Sequence, residues 1–169
     1  DCEKAVSAPL KQSMHIEEKD LEQNEEDAEG INAATVLVVD DDVDIANYMK
    51  DFLSSTYKIE VRFNAKSAYM SLDEINPDII ISDVLMPDVD GFQFCRMIKQ
   101  NISYSHIPVI LLTAKTLVDD QIRGLHDGAN AYVTKPFDPQ YLLALIQSLL
   151  RNQENLRHAL EHSTKAEGI

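Results

Sequence analysis

The chain reads as an α/β domain, a doubly wound, five-stranded parallel sheet with helices on both faces. Three observations predict this. Short apolar runs recur through the chain, and two of them, Val36–Val39 and Ile79–Ile81, lack the alternation of a half-exposed strand. Such runs suit strands buried on both faces. Stretches with apolar residues at helical spacing separate them. Most of the runs also end in polar residues, as at Asp40-Asp41-Asp42, Asp83, Thr113 and Lys135. Alternating strands and helices specify a parallel sheet with right-handed crossovers, and ligands sit at the carboxyl ends of such strands.

Val36-Leu37-Val38-Val39 is the first strand, and Asp42 is either solvated or opens the helix that follows. Ile45, Met49, Phe52 and Leu53 give that helix an apolar face over 43–54. Lys58–Phe63 alternates, with Ile59, Val61 and Phe63 against charged neighbours, which predicts a half-buried edge strand. Helical spacing resumes over Ala65–Ile75, and Asp78–Ser82 is the central strand, delivering Asp83 into a turn rich in Pro, Asp and Gly. Phe92–Asn101 is a helix, with Phe94, Cys95 and Ile98 on one side. Pro108–Leu112 is a strand ending at Thr113-Ala114, and Thr116–Asp127 is a helix stopped by Gly128 in the left-handed region. Ala131–Thr134 is a short strand running into Lys135-Pro136-Phe137. Asp138 caps a last helix that opens with Pro139. Leu142, Ile146, Leu149, Gln153, Leu156 and Leu160 continue in steps of four and three. That stripe is either a core helix fraying after Arg151 or a helical connector and dimer seam.

Three segments follow from this pass: an acidic linker over 1–33, disordered or weakly helical; a domain over 34–151; and a helical extension or linker over 152–169. The formal net charge is −14, and the first 34 residues hold ten acids against three bases. The segment Ile16–Glu29 has eight acids and one lysine, with little to bury. His15 reads as a solvated linker histidine, since no amphipathic helical hairpin surrounds it. An acidic balance argues against direct contact with nucleic acid or anionic lipid. The chain has no apolar run of membrane-spanning length and no signal-peptide pattern. Cys2 and Cys95 match no metal spacing, and Cys95 among Phe92, Phe94 and Met97 reads as a buried reduced thiol. These features favour the cytoplasm. The initial Asp points to a piece of a longer polypeptide.

Charge runs at strand ends are usually just solvated. Asp40 and Asp41 differ because Asp83 closes the neighbouring strand, and three carboxylates in one crevice repel unless a cation joins them. Hard oxygen donors in a wet site suit Mg²⁺. A phosphoryl group arriving at Asp83 would have its charge met by that ion and by Lys135, with Thr113 giving a hydroxyl hydrogen bond. In-line attack by the Asp83 carboxylate then yields an acyl phosphate. A cis Lys135–Pro136 bond would aim the ammonium inward.

These motifs together resemble the receiver domain of two-component response regulators. They are Val36-Leu37-Val38-Val39-Asp40-Asp41, Ser82-Asp83-Val84-Leu85-Met86-Pro87 with Asp90-Gly91, Leu112-Thr113-Ala114 and Lys135-Pro136-Phe137. The resemblance covers roughly residues 35–150. It implies a flavodoxin-like strand order 2-1-3-4-5, an order for which a receiver protein is a standing example. It also implies that Asp83 is the phosphoacceptor, and that Asp40, Asp41, Asp83 and the Leu85 backbone carbonyl hold Mg²⁺. Thr113 and Lys135 would contact the phosphoryl group, and Tyr132 would be the aromatic switch that moves with Thr113. Its donor would be the phosphohistidine of a histidine kinase, in the same polypeptide or a separate one, and its output would be control of transcription. The 116–128 helix, last strand and last helix form the expected output and homodimer surface. Leu85 and Lys115, two residues after Asp83 and Thr113, predict a long-lived phosphoryl state, because an apolar Leu85 cannot orient a hydrolytic water. Two alternatives remain. A Mg²⁺-dependent phosphatase of the haloacid dehalogenase type also uses an Asp nucleophile, yet needs a second acid where Leu85 stands. An interaction module that has lost phosphorylation would not need all five polar site residues.

Overall fold

The computed structural model describes residues 34–114 and 126–166. Five strands form one parallel sheet: β1 (Thr35–Val39), β2 (Lys58–Arg62), β3 (Ile79–Asp83), β4 (Val109–Ala114) and β5 (Ala131–Lys135). Their order is β2-β1-β3-β4-β5, so the doubly wound expectation holds and β2 is an edge strand. The sheet order follows from hydrophobicity. β1, β3 and most of β4 are buried on both faces and occupy the middle, whereas the alternating β2 takes an edge.

Period-two geometry divides the strand residues between two cores. Leu37, Val39, Ile80, Val109 and Leu111 face one side, against Ala68, Leu72, Phe94 and Ile98. Val36, Val38, Ile79, Ile81, Ile110 and Leu112 face the other, against Met49, Leu53, Leu142 and Ile146. Cys95 lies fully buried in the first core as a free thiol, with its pKa pushed up to about 11, chiefly by burial.

Among the described residues, the helices that carry these faces are α1 (Val43–Leu53), α2 (Ala65–Met70), α3 (Leu72–Ile75), α4 (Gly91–Gln100) and α5 (Pro139–Ala166). Asp42 opens α1, its side chain accepting from Asp44 N at 3.0 Å and Ile45 N at 3.2 Å. Asp90 and Gln93 form a reciprocal capping box on α4. Asp138 accepts from Gln140 N at 2.9 Å ahead of α5. The single helix expected over Ala65–Ile75 is broken into two. Ser71 turns its hydroxyl back onto the carbonyls of Ser67 and Ala68, competing with the helical ladder, and Asn76 ends α3 at φ 48°. Gly128 adopts φ 84°, as its stop position requires. The rest of the expected 116–128 helix, up to residue 125, lies outside the described residues, as do the 1–33 linker and Lys115.

α5 does not fray at Arg151. It continues to Ala166, so about 24 Å of helix follows Leu150. Leu142 and Ile146 are buried, but Leu156 and Leu160 are 66% and 69% exposed. Among the described residues, no helix is long and apolar enough to cross a membrane.

Candidate functional site

The parallel register brings the polar strand ends to one edge. β1 and β3 pair Val39 with Ser82, so Asp40 and Asp83 extend from adjacent strands. β3 and β4 pair Asp83 with Leu112, and β4 and β5 pair Ala114 with Lys135. Topology thus gathers residues up to 95 positions apart in sequence.

Asp40 is 1% exposed, and Asp83 is 9% exposed. Oxygens of Asp40, Asp41 and Asp83 lie within 4.8 Å of one another, and Asp41 is solvent-exposed. Lys135 Nζ stands 3.2 Å from Asp40 Oδ2 and 3.2 Å from Asp83 Oδ1. The other Asp40 oxygen accepts from the Asp42 backbone N–H at 2.9 Å, which fixes the carboxylate against the start of α1. The Lys135–Pro136 bond is cis.

Burial holds the Asp83 carboxyl above its ordinary value of 3.8, and the Asp40 charge adds to that rise, although Lys135 opposes both. Burial pulls Lys135 downward, but the two carboxylates outweigh it and leave its pKa above 10.5. One ammonium therefore serves two buried acids, with a third acid at the rim. The cluster is short of positive charge, and its donor set is all oxygen. Both traits fit a hard divalent cation such as Mg²⁺.

The loop after β3 turns back sharply beside Asp83. Val84 N donates to Leu112 O at 2.9 Å, and Gly91 N returns to Val84 O at 2.8 Å. A Cβ on Gly91 would lie 2.2 Å from the Asp83 carbonyl oxygen, so only glycine lets α4 start this close to the strand. The need for glycine there was hidden in the sequence, because the Asp90-Gly91 pair reads simply as a turn. Leu85 in this loop is 70% exposed.

The remaining predicted residues sit on β4 and β5. Thr113 is buried at the same edge, and its hydroxyl donates to Ala114 O at 3.0 Å. Tyr132 is half-buried, paired in register with Leu111, and its ring lies 6.3 Å from that of Phe92 at the start of α4. Asp40, Asp41, Asp83 and Lys135 thus form one cluster, with Thr113 on the neighbouring strand and Tyr132 farther from the edge. Sequence reasoning missed Asp127. It is 5% exposed and accepts from Arg96 Nε at 3.0 Å and Nη2 at 2.9 Å, pinning the turn before β5 to α4. Nothing local marks that pair, since its partners are 31 residues apart.

A five-stranded parallel sheet in this order, with an acidic cluster and a lysine at its carboxyl edge, defines a receiver. The chain belongs to the response regulator receiver domain family, whose model it matches over residues 36–147. It is a receiver domain of two-component signalling, a class that binds Mg²⁺ and takes its phosphoryl group from a histidine kinase. Response regulator Rre1 of Synechocystis sp. is 34% identical over 137 residues, covering 80% of this chain and 59% of that protein. Histidine kinase P4 of Formosa agariphila is 36% identical over 124 residues, covering 73% of this chain but 9% of the kinase. Among solved structures, the receiver domain of a signal transduction histidine kinase from Syntrophus aciditrophicus aligns with a TM-score of 0.67 and 38% identity, covering 71% of this chain and 92% of that one. The chain therefore spans little more than half the length of the first of these curated relatives, and far less of the second.

Proposed function

We propose that Asp83 is the phosphoacceptor, taking a phosphoryl group from a kinase phosphohistidine. The observation that carries this is the shared ammonium. Lys135 Nζ lies 3.2 Å from carboxylate oxygens of both Asp83 and Asp40. An Asp83 oxygen attacks phosphorus, the new P–O bond forms as the donor's P–N bond breaks, and the imidazole departs. Lys135 stays in place to meet the charge on the transferred oxygens, and Thr113 turns its hydroxyl from Ala114 toward them. Asp40, Asp41, Asp83 and the Leu85 carbonyl would hold Mg²⁺, which supplies positive charge to the phosphoryl oxygens.

Phosphorylation adds about −1.5 to −2 charges to an already acidic pocket. Movement of Thr113 frees space on β4 beside Tyr132, whose ring follows, and the surface of β5 and α5 responds. That surface, with the 116–128 segment, is the output face and a homodimer contact. Leu85, exposed and apolar, leaves no group there to orient a hydrolytic water, so the phosphoryl state is long-lived. The domain occupies 34–151, with 1–33 and 152–169 joining it to neighbours in a longer regulator or hybrid kinase. Its output is transcriptional, as it is by name in two relatives, a DNA-binding transcriptional regulator and a transcriptional regulatory protein. It works in the cytoplasm, where phosphohistidine is made from ATP, and does not itself contact nucleic acid.

Incubation with a small-molecule phosphodonor and Mg²⁺, followed by intact mass measurement, tests the assignment. One phosphoryl adduct is expected in the native chain and none in Asp83→Asn. An adduct of equal yield in the variant would move the acceptor elsewhere.

A further inference from the structure

The exposed end of α5 carries chemistry that the receiver site does not use. His158-Ala159-Leu160-Glu161-His162 places two imidazoles four residues apart on a continuous helix. Side chains at that spacing share a face, with Cβ atoms about 5–6 Å apart. Helices that bind zinc through paired histidines use the same separation, in both the H-E-x-x-H and H-x-x-E-H orders. The second of those orders matches the residues here.

Two carboxylates lie beside His158. Glu154 Oε1 is 3.7 Å from His158 Nε2, and Glu161 Oε2 is 4.0 Å from His158 Nδ1. The His158 and Glu161 side chains are each 61% exposed, and His162 is exposed too. Both rings are solvent-exposed, so it is side-chain rotation that would have to bring them onto one ion. Helical geometry also puts this stripe on the side of α5 opposite Gln153, Leu156 and Leu160. A partner seated on the leucines would therefore leave the histidines open.

We propose that His158 and His162 chelate a divalent transition-metal cation of the zinc type, with Glu161 supplying a carboxylate oxygen and water completing the shell. Imidazole nitrogen suits Zn²⁺, Ni²⁺ or Cu²⁺, whereas the all-oxygen cluster at Asp40, Asp41 and Asp83 suits Mg²⁺. The two sites thus sort metals by donor type. A bound ion would clamp the turn 158–162 and stiffen the part of α5 that projects beyond the domain.

The test is calorimetric titration of Zn²⁺ into the full chain with Mg²⁺ in large excess, which keeps the acidic cluster occupied. Saturable binding of one ion per chain is expected. His158→Ala and His162→Ala should each weaken it at least about tenfold, because a chelate needs both rings. Glu161→Gln should weaken it less, while His126→Ala and Asp83→Asn should leave it unchanged. Imidazole resonances of positions 158 and 162 should shift together on zinc addition. Undetectable binding to the native chain, or binding that survives either histidine substitution, overturns the proposal. Loss in Asp83→Asn would do so as well, by moving the ion to the acidic cluster. None of these outcomes bears on whether Asp83 accepts phosphate.

Discussion

The middle of the sheet and its carboxyl edge are built from the same strands under opposite rules. Val36–Val39, Ile79–Ile81 and Val109–Leu112 are at most 1% exposed, and every side chain finds apolar neighbours on its own face. One or two residues farther along, Asp40, Ser82, Asp83 and Thr113 are also buried but polar. There the backbone has already been fixed by the ladder below, so like charges can be held together at a cost that the interior offsets. The lesson is that the site's geometry and its stability come from different residues. Substitutions in the interior should therefore only destabilise, whereas those at the edge can act in either direction.

The largest effect is expected in the interior. Ile81→Ala leaves a cavity under a fully buried strand and should destabilise the domain by about 2–5 kcal/mol. Denaturant unfolding would read it, and a change below about 1 kcal/mol would mean that the core re-packs around the gap. Next comes Lys135→Met, which strips two enclosed carboxylates of their shared partner. A loss of about 1–3 kcal/mol is expected without metal. The Lys135 pKa is raised on folding, so its contribution is complete below 10.5 and fades as pH climbs through the folded value. Native chain and variant should accordingly converge in strongly alkaline buffer.

Asp83→Asn should act in the opposite direction. The carboxyl is held above 3.8 in the folded state, so that state binds the proton more tightly than the unfolded chain does. Stability contributed by Asp83 then falls as pH rises from 3.8 through the folded value, and the deficit persists at neutrality. Removing the charge should stabilise the metal-free domain by about 1 kcal/mol at pH 7 and do little at pH 3. Thermal melts at both pH values, with chelator present, would check it, and added Mg²⁺ should favour the native chain instead. The smallest effect belongs outside both zones. Leu160→Ala, 69% exposed in the native helix, should shift the domain's stability by less than about 0.5 kcal/mol.

Much of this organisation was legible in the sequence, for physical reasons that can be named. β1 and β3 announce themselves because burial on both faces demands uninterrupted apolar residues. Gly128 and Asp138 are legible because caps and stops act within a few residues, and Asp42 was so only as one of two readings. The acidic strand ends could be placed beside each other as soon as a parallel sheet was inferred. The break at Ser71 was not legible, since Ala68, Leu72 and Ile75 keep helical spacing across it while a hydroxyl redirects the ladder. The Arg96–Asp127 pair and the hydrogen bond from Thr35 N to Asp78 Oδ2 were also hidden, because partners 31 and 43 residues apart need coordinates. Lys135 lies between. Its motif suggests a role, but only the register of β5 shows that its ammonium reaches Asp40 and Asp83.

The near-contact at Gly91 has a mechanical consequence. With the first turn of α4 resting against the Asp83 carbonyl, β3 and that helix form one strut with no slack at the joint. The strut's next residue, Phe92, leans on Tyr132, and Arg96 in the middle of the helix grips Asp127. The joint at Asp83 is therefore tied through one helix to two separate points, at β5 and at the turn before it. Any residue bulkier than glycine would pry that joint apart.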